Sequence, residues 1–138
     1  MATSWYRNGL KNVLSGVVDM TNDTINAVLI DVADYTVDLD TDEFLSSIAG
    51  AARVSTATLA SKTFTVTSTY GVFDAADTTF TAVTGDPTEA LVVYQSTGVD
   101  GTSCLLGYFD GASVQVTPNG NNIVCQWNAS GILRLSRS

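Results

Sequence analysis

The chain is expected to be mainly β: a single-domain antiparallel β-sandwich, jelly-roll-like, or a small barrel of about eight strands, with an N-terminal amphipathic helix. Three observations lead there. Residues 62–67 alternate polar and apolar side chains, the period-two pattern of a half-buried strand. Turn signals at Gly71, Gly85-Asp86-Pro87, Gly98, Gly101, Gly111 and Pro118-Asn119-Gly120 cut the second half into short segments. Residues 4–18 hold the one convincing helical pattern, and short strands with turns between them indicate a sandwich or barrel rather than βαβ units.

In residues 4–18, Tyr6, Leu10, Val13, Leu14 and Val17 fall on one apolar stripe, and Ser4 is a candidate N-cap. Gly9 and Gly16 each cost such a helix about 1 kcal/mol relative to alanine, so it must lean on another surface. Residues 25–30 form a short apolar run and predict a buried strand. Residues 31–43 carry six carboxylates interleaved with Tyr35, Val37 and Leu39, and predict a loop followed by a brief helix over 42–48 capped by Thr41. Further strands are predicted at 53–58, 62–67, 78–83, 90–95, 104–109, 123–127 and 132–135.

With 138 residues, one domain is expected over 1–138, residues 1–18 forming an N-terminal helix or arm and 24–138 the β domain. Fourteen acidic residues stand against six basic ones with no histidine, a balance that repels a phosphate backbone and argues against a nucleic-acid partner. No apolar stretch approaches the roughly 20 residues of a spanning helix, so no membrane partner is expected. The opening residues lack the pattern of a secretory signal, which predicts synthesis and retention in a cytosol until assembly. Cys104 and Cys125 read as buried thiols of the core, with a disulfide as the alternative.

Motifs for chemistry fail on inspection. Asp38-Leu39-Asp40-Thr41-Asp42 opens like a calcium-binding loop, yet the positions that require glycine and glutamate hold Glu43 and Ala49. Without histidine there is no common base for Thr102, Ser103 or Cys104, and Gly98-Val99-Asp100-Gly101 lacks the rest of a phosphate loop. No catalytic residue, metal or cofactor is therefore expected, and the chain reads as a non-enzyme. Phe64, Phe73, Phe80, Tyr94, Tyr108, Phe109 and Trp127 lie in or beside strands, where core packing is the default. Trp5 and Tyr6 beside Arg7 have the composition of an interface anchor, or of a helix docked on its own domain. The candidate assembly interface is thus Trp5, Tyr6, Arg7, Leu10 and Lys11.

A resemblance adds to this reading. Trp5-Tyr6-Arg7-Asn8-Gly9-Leu10-Lys11, Asp23-Thr24-Ile25-Asn26-Ala27-Val28-Leu29, Asp34-Tyr35-Thr36-Val37-Asp38 and residues 71–80 resemble a family of small virion structural proteins of tailed phages. Residues 90–94, 106–110, 118–121 and 126–132 extend the likeness over nearly the whole chain. The resemblance implies a bacteriophage virion component, a capsid cement or decoration protein bound to the major capsid protein at the capsid surface. It also implies a homo-oligomer, trimer or dimer. The alternative is a tail or adsorption component (tail-tube, tail-tip or fibre-associated) that binds a receptor or glycan.

Overall fold

Hydrophobic patterning sorts the described residues, 2–111 and 114–137 of this computed structural model, into ten strands and one α-helix. In chain order these are β1 (Ala2–Trp5), α1 (Arg7–Leu14), β2 (Thr24–Ile30), β3 (Arg53–Thr58), β4 (Thr63–Thr67), β5 (Tyr70–Asp74), β6 (Thr78–Phe80), β7 (Ala90–Ser96), β8 (Leu105–Asp110), β9 (Ile123–Cys125) and β10 (Leu133–Ser136). Every pairing is antiparallel. Strands run β1-β8-β7-β2-β3 in a five-stranded sheet, β10-β5-β4 in a second, and β6-β9 in a third. The largest sheet ends at β1 and β3, so no closed barrel forms among the described residues, and that part of the expectation is corrected.

The central strands β2 and β7 explain why their sequences read as apolar runs rather than alternations. Both faces are covered. Ile25, Ala27, Leu29, Leu91 and Val93 face a core shared with Phe73 and Leu133 of the second sheet and Phe80 and Cys125 of the third. Val28, Ile30, Val92 and Tyr94 face the other way, into a second core closed by Tyr6, Tyr35, Leu45, Ile48 and Ala52. Each fully buried aliphatic side chain contributes about 1.5–3 kcal/mol, so the segment 31–52 is held to the sheet mainly by its few apolar residues.

Two strands escape sequence reading. β1 pairs with β8 from Ala2↔Asp110 to Trp5↔Gly107, inside the stretch expected to be helical. β5 contains Gly71, which reads as a turn but lies within the strand; the turn is Ser68-Thr69. The helix is correspondingly shorter than its apolar stripe. It starts after Tyr6, not at Ser4, and Ser15 closes it before Gly16, whose φ of 80° cannot continue a helix. Leu14 and Val17 consequently lie 78% and 59% exposed, while Tyr6, Gly9 and Asn12 are buried.

The acidic segment also differs from expectation. The predicted helix over 42–48 reduces to a single 3-10 turn at Leu45–Ser47, preceded by Phe44 and not capped by Thr41. The carboxylates do the organising instead: Asp38 accepts the backbone N–H of Asp40 and Thr41 at 3.0 and 3.1 Å, folding the chain into a side-chain-closed turn. Cys104 and Cys125 are buried free thiols, and burial raises both pKa values, that of Cys125 to about 11.

Gly9 is the point where α1 touches the sheet. A Cβ there would lie 2.5 Å from the Leu105 carbonyl oxygen and 3.0 Å from Leu106 Cα, both backbone atoms that cannot move aside. Helix propensity alone predicts that Gly9→Ala stabilises by about 1 kcal/mol. The close approach reverses the sign: chemical denaturation of G9A should show a loss of about 1–3 kcal/mol, and a gain would mean that the helix stands off the sheet. Thiol labelling gives a second check. Native Cys104 and Cys125 should react with a disulfide reagent at mildly alkaline pH only as fast as the domain unfolds, because both are buried and protonated.

Candidate functional site

The five residues of the expected assembly interface do not form one outward patch. Tyr6 is fully buried, its N–H bonded to the Leu106 carbonyl at 3.0 Å and its hydroxyl 2.9 Å from that of Tyr35, which donates to Asp42 at 2.7 Å. Burial raises the pKa of both tyrosines, keeping the pair protonated. Arg7 lies 3.3 Å from Asp40, with both side chains about 70% exposed, so the pair is worth no more than about 1 kcal/mol. Lys11 bonds Glu43 at 2.9 Å, and Leu10 is half-buried on the helix. Arg7 and Lys11 thus join the helix to the acidic segment of the same chain. Of the five, Trp5 is the one that lines an open groove.

That surface is a groove of about 510 Å³ between the end of α1 and the β10-β5-β4 sheet, lined by Trp5, Val13, Val18, Met20, Phe64 and Phe73 among others. Its origin is the register of the small sheet. Phe64, Phe73 and Leu133 align across the three strands, as do Val66, Gly71 and Leu135, so all six share one face. Phe73 and Leu133 reach the core. Phe64, Val66 and Leu135 lie beyond it, 46%, 86% and 37% exposed, which corrects the placement of Phe64 in the core. The apolar face therefore overhangs the domain. Sequence alternation shows that β4 has an apolar face; it does not show that the core ends beneath Phe73.

Polar groups at the groove's rim are engaged within the fold. Trp5 Nε1 donates to the Arg134 carbonyl at 3.1 Å, and the Arg134 guanidinium lies 4.3 Å above the centre of the Tyr70 ring. The Asp19 carboxylate accepts the Asn22 side chain at 2.7 Å and the N–H groups of Thr21 and Asn22, and these bonds, the Asn22 side chain foremost, lower its pKa. What this arrangement can do is exclude water from a second apolar surface.

Elsewhere, one carboxylate oxygen each from Asp31, Asp34 and Asp86 lie within 4.8 Å of one another, a donor set able to hold a hard cation. The Asp38-Leu39-Asp40-Thr41-Asp42 motif is used differently. Asp42 accepts Tyr35 and the Asp38 N–H, and Asp38 closes its own turn. Compared with known proteins, the chain matches no family model, and no curated protein matches it.

Glu43 connects α1 to the sheet through Lys11 and through Asn12 at 3.2 Å, and Asn12 reaches the Cys104 sulfur at 3.4 Å. Those bonds, Lys11 first, lower the Glu43 pKa below 4.5. A depressed carboxylate contributes stability above its unfolded pKa and loses it as pH falls through the folded one. Thermal melts of Glu43→Gln should start lower than the native chain near pH 7 and lose less on acidification to about pH 3. Parallel acid curves for the two proteins would show that Glu43 is not coupled to folding.

Proposed function

We propose that this chain is a non-enzymatic structural protein of a tailed-phage virion, a capsid cement or decoration protein that binds the major capsid protein shell. The observation that carries the reading is the overhanging apolar face on an otherwise acidic domain whose irregular segments are tied down by hydrogen bonds. A single exposed hydrophobic residue is ordinary; a groove continuous with three exposed apolar strand residues is the mark of a contact surface. The sequence landmarks from Trp5 to Ile132 supply the virion context.

The fold is read in the same frame as a jelly-roll-like sandwich, with the five-stranded sheet as one layer and the two smaller sheets as the other. Such a layer pair suits a cement role, because both cores are closed within one chain and the assembly surface lies outside them. Recognition of a glycan would call for several exposed aromatic rings in a row. Among the described residues, Phe64 is the one aromatic of the exposed large hydrophobic side chains, so the apolar surface fits a protein partner better than a sugar.

Cryo-electron microscopy of the particle tests this directly. Density fitting this domain should recur over the shell at local symmetry axes, contacting the major capsid protein. Density confined to the tail tube or tip would overturn the cement role and transfer the chain to the adsorption apparatus.

A further inference from the structure

The overhang ends in a free strand edge, and that edge is complementary to itself. β4 is the outermost strand of the β10-β5-β4 sheet, with all five residues exposed. A two-residue loop, Ser68-Thr69, closes the β4–β5 hairpin, so Thr67 and Tyr70 form a hydrogen-bonded pair and pairing alternates from there. Thr63, Thr65 and Thr67 therefore direct their backbone groups to β5, and Phe64 and Val66 direct theirs outward. Among the described residues, no hydrogen bond from outside the sheet reaches Phe64 or Val66.

We propose that a second copy of this chain occupies this edge, β4 pairing antiparallel with β4 about a two-fold axis through Thr65 and joining two three-stranded sheets into one of six. The pair, with its two apolar faces side by side, is then the unit that meets the shell in the reading above, and the inference rests on reading that face as an assembly surface. In this register Phe64 stands opposite Val66 of the other copy, and the outward groups of the two residues satisfy each other. Both side chains lie on the apolar face, so the two overhangs merge into one strip. Thr63 meets Thr67, and Thr65 meets its own symmetry mate. A shift of one residue would place outward backbone groups against inward ones and threonines against the apolar side chains.

Charge and the bare strand edge favour the same site. The chain carries a net charge of −8, so two copies repel over most of their surface. Residues 63–73 contain no charged side chain, and Lys62, Arg134 and Arg137, half of the six cations, flank this sheet. The usual devices that blunt an edge are missing from β4: it has no lysine, proline, bulge or inward charge, and Lys62 is folded back to bond the Met20 and Asp23 carbonyls at 2.8 and 2.7 Å. Phe64 and Val66, 46% and 86% exposed, are the apolar side chains of this edge, and the pairing sets each beside the other's counterpart. A five-residue edge with two such side chains is a small contact, below the roughly 800 Å² per partner of standard interfaces, so association is expected at high rather than low concentration.

Sedimentation of the purified chain, without particles, should give a dimer at about 100 μM. Val66→Lys, at a side chain 86% exposed, should sediment as a folded monomer, while Val99→Lys, 60% exposed in the loop before β8, should remain dimeric. Cross-linking fixes the register. Facing Thr65→Cys residues would be separated by about 4.5 Å between Cα atoms, within disulfide range. Mild oxidation should convert T65C to a covalent dimer and leave T67C, whose symmetry mates lie roughly 13 Å apart, unlinked. Monomeric native protein, a trimer or larger species, or linkage of T67C in preference to T65C would overturn the proposal. None of these readouts depends on where the protein sits in a particle, so failure here and failure of the cement role are separately visible.

Discussion

The structure depends on the burial of β2 and β7 on both faces. Their register pairs Ile25 with Gln95 through Ile30 with Ala90, and the apolar residues along it alternate between two cores. One sheet face could have been left to water, as in many antiparallel folds. Here Val28, Ile30 and Val92 need a lid, and the chain supplies it from residues 31–52 and Tyr6. A lid built from a segment with six carboxylates is an awkward choice electrostatically, and the bonding pattern reflects that. Arg7 and Lys11 hold it from the helix side. Arg53 holds it from β3, bonding the Leu45 and Ile48 carbonyls and Asp100.

The sequence exposed the strands whose periodicity is local and hid the features set by distant partners. β2, β3, β4, β7 and β8 match their expected positions within a residue or two, because each carries an apolar run or alternation of its own. β1 does not. Its four residues form a strand because β8 would otherwise present a bare edge, a fact carried 100 residues away. The helical stripe fails for a related reason. Leu14 and Val17 have helical spacing with Tyr6 and Leu10, but docking is decided by Gly9, the one position where the backbone of α1 can meet the backbone of β8. β6 stops at Phe80, short of the expected Val83, where Ala82 takes a φ of 49° and bonds Asn122 instead of continuing the ladder.

The same logic applies to the candidate site. Aromatic and basic residues at the N-terminus have the composition of an anchor, and that much was legible. Composition could not tell an anchor between molecules from one within a molecule. Tyr6, Arg7 and Lys11 are anchors of the second kind, spent on Tyr35, Asp40 and Glu43. The surface left over is the one that alternation described as ordinary half-buried strand. Residues 63–67 alternate as a core strand does, yet the core lies under Phe73 and Leu133 and stops there.

Use of the cations on the lid also shapes the outer surface. Arg7, Lys11 and Arg53 neutralise or bond the acidic face, and Lys62 caps carbonyls at the start of β2. The remaining pair, Arg134 and Arg137, belongs to the β10 end of the small sheet, where Arg134 stacks on Tyr70 and Trp5 bonds its carbonyl. Trp5 thereby links two sheets: its backbone belongs to the five-stranded one and its indole bonds the three-stranded one. That bond partly occupies the β10 edge and leaves β4 as the open edge of the same sheet. The pairing proposed at β4 would bring two acidic chains together where residues 63–73 carry no charge. The indole's hold on the Arg134 carbonyl of β10 leaves β4 as the edge of that sheet open to such a pairing.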